Sequence, residues 1–456
     1  MSDVKKIGVV SATGIVAGNM MGSGVALLPA SLASVGSIII FAWVIAIIGA
    51  MSLAWVFARL GTDNPQSGGP VAYAGEVSPI LGYQSGVLYY HSNWIGNLSI
   101  AVAGVSYLAV FIPELHSSFG AGIATIIAVW VFAFINLVGA DWVSRLVTIG
   151  VVLLLIPVVL TGTVGWTLFD GQTFSDNWNT SGKSDGQAII GGVLLVVWSF
   201  IGVESASVNA NLVDRPRRTI PLSTLLGTGL AAVVYVLSTM AIMGMFPAAE
   251  VAASGAPFAD SSAKILGSWS APIVSAVTAF ACFASLGSWM MLTAEAGART
   301  ARDGYFPKIY GERNSKGTAS KGIIIEAAQM TALMVALMIL QGDGESTGLF
   351  NTLITIAVLT VLLPYFYSCL NLRAHIGLAW SNAGSLLICA LASLFCLIAL
   401  YGAKGEGLAE AIIVTIVIYF FYVRWESSHH QDKTLHFPEN ASTSVPDKDT
   451  NEVLEN

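Results

Sequence analysis

One acidic residue stands out because it lies inside an apolar segment. Glu204 follows Gly202 near the middle of a hydrophobic stretch over residues 187–212. A charged side chain at the centre of a bilayer costs about 2.5–3.5 kcal/mol on insertion scales, so acids in such places usually have a function. The structural alternative is a protonated core glutamate whose hydrogen bonds are satisfied. We expect Glu204 to take up and release a proton, or to pair with a substrate cation.

A glycine-rich motif interrupts the first apolar segment. Gly22 and Gly24 flank Ser23 at a point that we expect near the middle of the membrane. Each glycine lowers helix stability by about 1 kcal/mol relative to alanine, so the helix can unwind there. The freed N–H groups and the positive dipole end would suit a carboxylate. Gly18 and Gly22 also form a small-xxx-small pattern, a common packing face, but a second interruption near residues 200–205 favours a binding site.

The third apolar segment carries a polar stripe. Tyr89, Asn93 and Asn97 follow one another at intervals of four residues, which places them on one face of a helix. An aromatic ring attracts a cation by about 0.5–2 kcal/mol, and the amides can hydrogen-bond an ammonium group. The alternative is an aromatic belt at the membrane surface, which suits Tyr83 better than the deeper amides. The stripe therefore predicts an amine-binding surface.

The remaining aromatic and acidic residues form less specific patterns. Trp198, Trp289 and Tyr365 lie in three different apolar segments, where aromatic side chains pack more often than they gate. Glu76 and Asp303 lie near basic residues at predicted helix ends and are equally consistent with interfacial ion pairs. The sequence has no strong metal-binding, phosphate-binding or nucleophile motif, so we expect no cofactor, no metal and no enzymatic activity.

The elements that position these residues are predicted to be membrane-spanning helices. Hydrophobic residues make up 55% of the 456 and charged residues 10%, against about a quarter charged in soluble domains. The apolar runs approach 20 residues, long enough to cross a bilayer as helices, and they lack the alternation of barrel strands. We therefore predict an all-α membrane protein of about twelve transmembrane helices, embedded in lipid and without a nucleic-acid partner. The predicted helices span residues 7–31, 36–60, 83–112, 119–139, 142–169, 187–212, 219–246, 269–299, 322–341, 348–370, 379–402 and 405–425.

The distribution of basic residues predicts the orientation in the membrane. With twelve spans and the N-terminus inside, the inside segments hold all of the 20 lysines and arginines except Lys183, Lys264 and Lys404. Basic residues concentrate on the cytoplasmic side of membrane proteins. Both termini are therefore expected in the cytoplasm, and the polar segment 426–456 is expected to be a disordered cytoplasmic tail.

The two interrupted segments also indicate internal symmetry. They are the first and the sixth helix, and they cross the membrane in opposite directions. Broken helices at corresponding places of two oppositely oriented halves are typical of an inverted repeat. We predict one transporter-type domain over residues 1–425, with repeats at about 7–169 and 187–370 and two extra helices at about 379–425.

Two motifs resemble the amino acid–polyamine–organocation (APC) transporter superfamily and its basic amino acid/polyamine antiporter branch. They are the run from Gly18 to Gly24 with Leu27-Leu28-Pro29, and the run from Trp198 to Ala206. Within the branch, three further runs are similar to the exchangers of lysine and cadaverine. These runs span residues 69–76, 89–94 and 287–292. The resemblance extends from about residue 5 to 425.

The resemblance implies a role for each matching residue. Ser23 and Gly24 would bind the substrate carboxylate, and backbone carbonyls near Ile201 would bind the α-amino group. Tyr89, Trp289 and Tyr365 would act as gates, while Trp198, Asn93 and Asn97 would line the pocket. Glu204 would be linked to protons. In the lysine/cadaverine exchangers, further positions matter for transport, and this sequence matches at Tyr73, Glu76, Tyr90, Tyr235 and Asp303.

The function implied by the resemblance is exchange of external L-lysine for internal cadaverine by alternating access in a bacterial inner membrane. Such a protein would contribute to acid resistance together with a cytoplasmic lysine decarboxylase, and it would form a homodimer. The second ammonium of cadaverine needs compensation, and Glu204 or Glu76 is the candidate. The alternatives are arginine/agmatine, ornithine/putrescine or histidine/histamine exchange, proton-coupled uptake of basic amino acids or polyamines, and, from another class, a channel or receptor.

Overall fold

The computed structural model describes residues 8–63, 69–138, 140–205, 213–341, 346–376 and 380–403, together with the single positions 417 and 421. Helices dominate these residues. In chain order they are α1 Val9–Gly24, α2 Leu28–Ala33, α3 Ile39–Asp63, α4 Gly69–Val77, α5 Pro79–Leu108, α6 Ser118–Val138, α7 Ala140–Thr163, α8 Gly171–Asp176, α9 Asp185–Val197, α10 Pro216–Met245, α11 Ala248–Ala253, α12 Pro257–Leu266, α13 Ser270–Arg302, α14 Ser320–Gln341, α15 Ser346–His375 and α16 Ala383–Gly402. Short 3₁₀ turns follow α5, α7, α9 and α13 and precede α16.

The long helices have the length and composition of membrane spans. Eight helical segments among the described residues are at least 18 residues long and strongly apolar, and two shorter apolar helices accompany them. The eight are the segments Ile39–Asp63, Ser118–Val138, Ile149–Leu168, Pro216–Met245, Ser270–Arg302, Ser320–Leu340, Gly348–His375 and Ala383–Gly402. The prediction of an all-α membrane protein is confirmed. The predicted twelfth helix at 405–425 and the tail at 426–456 lie outside the described residues, apart from positions 417 and 421.

Helix α5 is as long as these membrane spans, but its apolar residues are interrupted by more polar side chains. It has 30 residues, and the tyrosine and asparagine side chains of the polar stripe lie along it. Ser78 caps its first turn by accepting a hydrogen bond from the Leu81 N–H, and Pro79 occupies the first helical position, where a missing N–H costs nothing. Most side chains of α5 are buried, because the helix packs between α13 and α15. The polar stripe of α5 is thus enclosed within the bundle.

The first predicted interruption is present but lies a few residues later than expected. Helix α1 continues through Gly24, and the break comprises Val25 to Leu27 before α2 begins. Pro29 has no N–H to donate to the carbonyl of Val25, so the helix cannot continue past this point. The N–H of Leu28 bonds to that carbonyl instead, at 3.2 Å. The proline, rather than the glycines, therefore determines where the helix ends.

The second interruption lies where the sequence predicts it. Helix α9 ends at Val197, a 3₁₀ turn follows, and Ile201 has an extended backbone with ψ of 130°. Gly202 has a φ of 103°, a left-handed conformation that glycine adopts at little cost. The chain is non-helical up to Glu204, and the continuation at 206–212 lies outside the described residues.

Candidate functional site

Helix α1 contacts the second interruption in the interior of the bundle. Asn19 on α1, six residues before the first break, donates a hydrogen bond from Nδ2 to the hydroxyl of Ser205, 3.0 Å away. These two residues are 186 positions apart in the chain. The contact therefore joins the first predicted helix to the break of the sixth, where backbone groups outside regular helix can face a ligand.

Glu204 lies at the centre of a three-residue hydrogen-bonded cluster. Tyr89 on α5 donates to Oε1 at 2.7 Å, and Tyr365 on α15 donates to Oε2 at 2.6 Å. The glutamate side chain is 1% exposed, and both tyrosines are buried. The cluster joins three separate elements through one carboxyl group. The structure therefore brings three of the predicted site residues into direct contact.

Two tryptophans flank the second interruption. A Cβ atom added at Gly202 would lie 3.4 Å from the indole of Trp289 on α13, so this ring packs against the break. Trp198 packs its ring on Gly96 of α5 and meets Phe350 edge-to-face at 6.3 Å. Its indole N–H has no hydrogen-bond partner among the described residues. Trp289 thus packs on the second break and Trp198 directly precedes it, while their pocket-lining and gating roles stay predictions.

The polar stripe of α5 continues from Tyr89 through two asparagines. Asn93 is 4% exposed, and neither its amide nitrogen nor its oxygen has a hydrogen-bond partner within the described part of the chain. A buried amide without partners costs free energy unless a ligand or water completes it. Asn97 is engaged: its Nδ2 donates to the hydroxyl of Thr293 at 3.0 Å and to a carboxyl oxygen of Glu326 at 2.7 Å.

Glu326 is a residue of the centre that the sequence analysis missed. It lies on α14, is fully buried, and Asn97 binds its Oε1. Its Oε2 has no hydrogen-bond partner among the described residues. The signal that identifies Glu204, an acid within an apolar run, is equally present around Glu326 in the predicted helix 322–341.

Ser23 and Gly24 are the last two residues of α1. They directly precede the first break and follow Asn19, whose side chain contacts the second break. They lie at the C-terminal end of this helix, where carbonyl groups rather than N–H groups lack helical partners, so carboxylate binding by Ser23 and Gly24 stays a prediction. Ile201 provides the extended backbone of the other interruption.

Three predicted tyrosines lie around this centre rather than in the Glu204 cluster. Tyr90 donates to the side-chain oxygen of Gln329 on α14 at 2.8 Å. Tyr235 on α10 stacks on Trp43 with ring centroids 6.0 Å apart, and its hydroxyl has no partner in the described part of the molecule. Tyr73 on α4 is fully buried, and its ring lies near that of Phe57.

Two predicted acids lie towards the helix ends that carry basic residues. Glu76 on α4 accepts a hydrogen bond from Asn371 at 2.8 Å, and the same amide donates to the carbonyl of Tyr73. Asp303 follows α13 and pairs with Arg299 at 2.9 Å, with both side chains about 30% exposed. An exposed pair of this kind is worth at most about 1 kcal/mol. The structure does not bring Glu76 or Asp303 into the Glu204 cluster.

Outside the membrane-spanning segments, hydrogen bonds and burial shift the pKa values of individual charged groups. Hydrogen bonds to Glu295 raise the pKa of Arg313, and the two side chains approach to 2.7 Å. Burial raises the pKa of Asp260 on α12. Among the described residues, no three histidines, cysteines or acids are grouped so that they could hold a metal ion.

The fold and site define a class of protein. Multiple apolar helices, two of them broken at a common polar centre, form the architecture of a secondary transporter. Residues 7–423 match the family described as amino acid permease, and the chain belongs to this family.

Individual relatives are similar over nearly the whole chain. The cadaverine/lysine antiporter of Escherichia coli (strain K12) is 56% identical over 425 residues, which are 93% of this chain and 96% of that protein. The putrescine transporter PotE of the same organism is 31% identical over 430 residues, which are 92% of this chain and 97% of that protein. PotE of Haemophilus influenzae is 31% identical over 422 residues, covering 91% of this chain and 96% of that protein.

Proposed function

We propose that the protein exchanges external L-lysine for internal cadaverine by alternating access around a single central site. The observation that carries the proposal is the contact of α1 with the second helix break beside Glu204, a buried acid bound by two tyrosines. A site of this kind provides backbone groups for an amino acid and an acid for an amine. The 56% identity to a cadaverine/lysine antiporter supports the choice of this pair of substrates.

The amino acid end of lysine binds at the two breaks. Ser23 and Gly24 bind the carboxylate, because the end of α1 lies at the interruption, and backbone carbonyls near Ile201 accept hydrogen bonds from the α-amino group. Trp198 and the two asparagines of the α5 stripe line the pocket. The amide of Asn93 has no partner among the described residues and is buried, which suits a direct contact with a polar ligand.

Glu204 provides the charge that couples the two substrates. Its hydrogen bonds hold the break against α5 and α15 through Tyr89 and Tyr365. Arrival of a proton or an ammonium group at the carboxyl competes with these tyrosines and allows the elements to separate. Tyr89, Trp289 and Tyr365 accordingly act as gates.

The outlying predicted residues support the movement between states. Tyr73 and Glu76 share the side chain of Asn371, so α4 and α15 are linked at one end of the site. Tyr90 links α5 to α14, Tyr235 packs behind the second break, and Asp303 is bound by Arg299 at the end of α13. We assign these five residues to transport as supports of the gates and of the charge balance.

The setting follows from the topology and the substrates. We place the protein in a bacterial inner membrane with both termini in the cytoplasm, as a homodimer and not as an enzyme. The inverted repeats at about 7–169 and 187–370 form the moving parts, with the helices at about 379–425 outside them. A cytoplasmic lysine decarboxylase converts the imported lysine to cadaverine and consumes a proton, so the exchange contributes to acid resistance.

Counterflow in proteoliposomes tests the proposal. Vesicles are loaded with cadaverine, labelled lysine is added outside, and arginine, ornithine or histidine is offered as a competitor. We expect lysine to accumulate only when cadaverine is inside, and we expect the competitors to have little effect. Putrescine, the substrate in the names of the 31% relatives, is the main competing amine, because one methylene changes binding by only about 1–3 kcal/mol. Its exchange in place of cadaverine would overturn the choice of substrates. Lysine uptake into empty vesicles would overturn exchange.

A further inference from the structure

The molecule contains a second fully buried acid besides Glu204. Among the described residues, these two are the only acidic side chains that are buried, with exposures of 1% for Glu204 and 0% for Glu326. Glu204 has two tyrosine donors, one on each oxygen. Glu326 has the Asn97 amide on Oε1 and no hydrogen-bond partner on Oε2 among the described residues. The second acid is therefore incompletely satisfied.

No basic side chain among the described residues forms an ion pair with Glu326. The four ion pairs among the described residues all lie elsewhere. A buried carboxylate without a counter-charge is costly, so such a group either binds a proton or pairs with a cation that arrives from outside. The unpartnered Oε2 is the atom at which either can bind.

Glu326 belongs to the same centre as the helix breaks. Asn97 binds both Glu326 and Thr293. The hydroxyl of Thr293 donates to the backbone carbonyl of Trp289, one turn earlier on α13, and the Trp289 ring lies against Gly202 in the second break. A chain of direct contacts therefore runs from the break to Glu326.

The spacing along α5 of the two residues that bind the acids suits a five-carbon diamine. Tyr89 contacts Glu204 and Asn97 contacts Glu326, and eight residues along α5 correspond to a rise of about 12 Å. An extended chain advances about 1.2 Å per bond, so the six bonds between the nitrogens of cadaverine span about 7 Å. A hydrogen bond of about 2.8 Å at each end brings the total to about 13 Å. The partnerless amide of Asn93 lies between the two ends.

We propose that Glu326 binds the terminal ammonium group that lysine and cadaverine share, with Oε2 accepting its hydrogen bond and Asn97 orienting the carboxylate. Lysine then binds with its amino acid end at the breaks and its ε-ammonium at Glu326. Cadaverine binds with one ammonium at Glu204 and the other at Glu326. This inference deepens the proposed function and rests on it.

Glu326 suits this role better than Glu76, the other acid considered for the second ammonium. Glu76 lies on α4 with Asn371, in the group of contacts around Tyr73. Glu326 contacts the α5 stripe directly through Asn97.

Equilibrium binding to the purified full-length protein tests the proposal. The probes are lysine and cadaverine, together with two analogues. Norleucine lacks only the ε-ammonium group of lysine, and 1-aminopentane lacks one of the two ammonium groups of cadaverine. Glu326→Gln keeps the size of the side chain and an oxygen acceptor for Asn97. The matched control is Glu312→Gln, which neutralises an exposed acid at the end of a 3₁₀ turn.

We expect wild-type protein and Glu312→Gln to bind lysine far more tightly than norleucine. In Glu326→Gln, the Kd for lysine and for cadaverine should rise about 10- to 100-fold, the factor expected for one lost charge-assisted hydrogen bond. The Kd for norleucine should stay unchanged, and the Kd for 1-aminopentane should rise far less than that for cadaverine, because its single ammonium group can still bind at Glu204. A purely structural role would weaken all four probes alike, and this result would overturn the inference.

The outcomes separate the inference from the function on which it rests. If wild-type protein bound neither lysine nor cadaverine, both the proposed function and this inference would fail. If wild-type protein bound them and Glu326→Gln bound all four probes as wild type does, only the inference would fail. Should Glu326→Gln not fold, Glu326→Asp and Glu326→Asn form a matched pair of charged and neutral variants. The aspartate should then keep the preference for lysine over norleucine and the asparagine should lose it, and equal preferences would overturn the inference.

Discussion

Replacing Glu204 by glutamine is the most informative perturbation of the central cluster. The amide has the size of the carboxyl group, so the packing around the break stays intact. Its nitrogen cannot accept a hydrogen bond, however, and both Tyr89 and Tyr365 donate to Glu204, at 2.7 and 2.6 Å. One tyrosine hydroxyl therefore loses its acceptor, and the other loses a charged one.

The structure gives the size of this effect. A hydrogen bond to a charged group contributes about 1.5–3 kcal/mol and a neutral one about 0.5–1.5 kcal/mol. Losing one of the two tyrosine hydrogen bonds and turning the other into a neutral one together cost about 3 kcal/mol. A change of this size alters an equilibrium between conformations roughly a hundred-fold. The conformation in which Glu204 joins α5 to α15 should lose population by that factor, and the group that binds a proton is removed with it.

Counterflow at several pH values measures the consequence. We expect Glu204→Gln to exchange lysine for cadaverine slowly and at a rate that hardly changes between pH 5 and pH 7, whereas the wild-type rate changes. Glu312→Gln is the control for a neutralised acid at the surface and should behave as wild type. A Glu204→Gln variant with the wild-type rate and the wild-type pH dependence would refute the role assigned to the cluster.

Three further substitutions test particular positions by thermal melts. Gly202→Ala should lower stability by about 1–2 kcal/mol, because φ at this position is 103° and a left-handed backbone is costly for alanine; an unchanged melting temperature would contradict the strained break. Gly49→Ala should cost about 1–3 kcal/mol through overpacking, because a Cβ would lie 2.0 Å from Phe395; a more stable variant would contradict this packing. Asp170 caps α8, and hydrogen bonds from Thr173 lower its pKa. The charge of Asp170 therefore stabilises the fold above its unfolded-state pKa and no longer does so once the pH falls through the folded-state pKa. Asp170→Asn should melt below wild type at neutral pH and level with it in acid, and a gap that persists in acid would contradict the charge effect.

Much of the fold could be predicted because the membrane imposes simple rules. A lipid environment requires long apolar helices, and their positions follow directly from the hydropathy of the chain. Glycines in otherwise apolar runs predict both interruptions, but the first lies a few residues later than expected, at the position that Pro29 determines. The short helices α4, α11 and α12 were not predicted, because each is too short for a periodic pattern to emerge from its sequence.

The site was predictable where one residue type in one place carries the signal. Glu204 and the α5 stripe are of this kind, and the structure places Tyr89 and Tyr365 on the carboxyl group. The partners of Asn97 were not predictable, since they lie 196 and 229 residues away in the sequence. Glu326 could have been found by the rule that identifies Glu204, namely that an acid in a membrane segment requires a partner.

The central claim is that one lysine enters for one cadaverine that leaves, and an imposed membrane potential tests it most directly. Lysine carries one positive charge and cadaverine two, so each turnover moves one positive charge outward. A potential of 100 mV then changes the equilibrium by about 2.3 kcal/mol, or roughly 50-fold. We predict that an inside-positive potential increases lysine accumulation in cadaverine-loaded vesicles and that an inside-negative potential decreases it. Lysine counterflow that is insensitive to the potential, or that proceeds without internal cadaverine, would contradict the account.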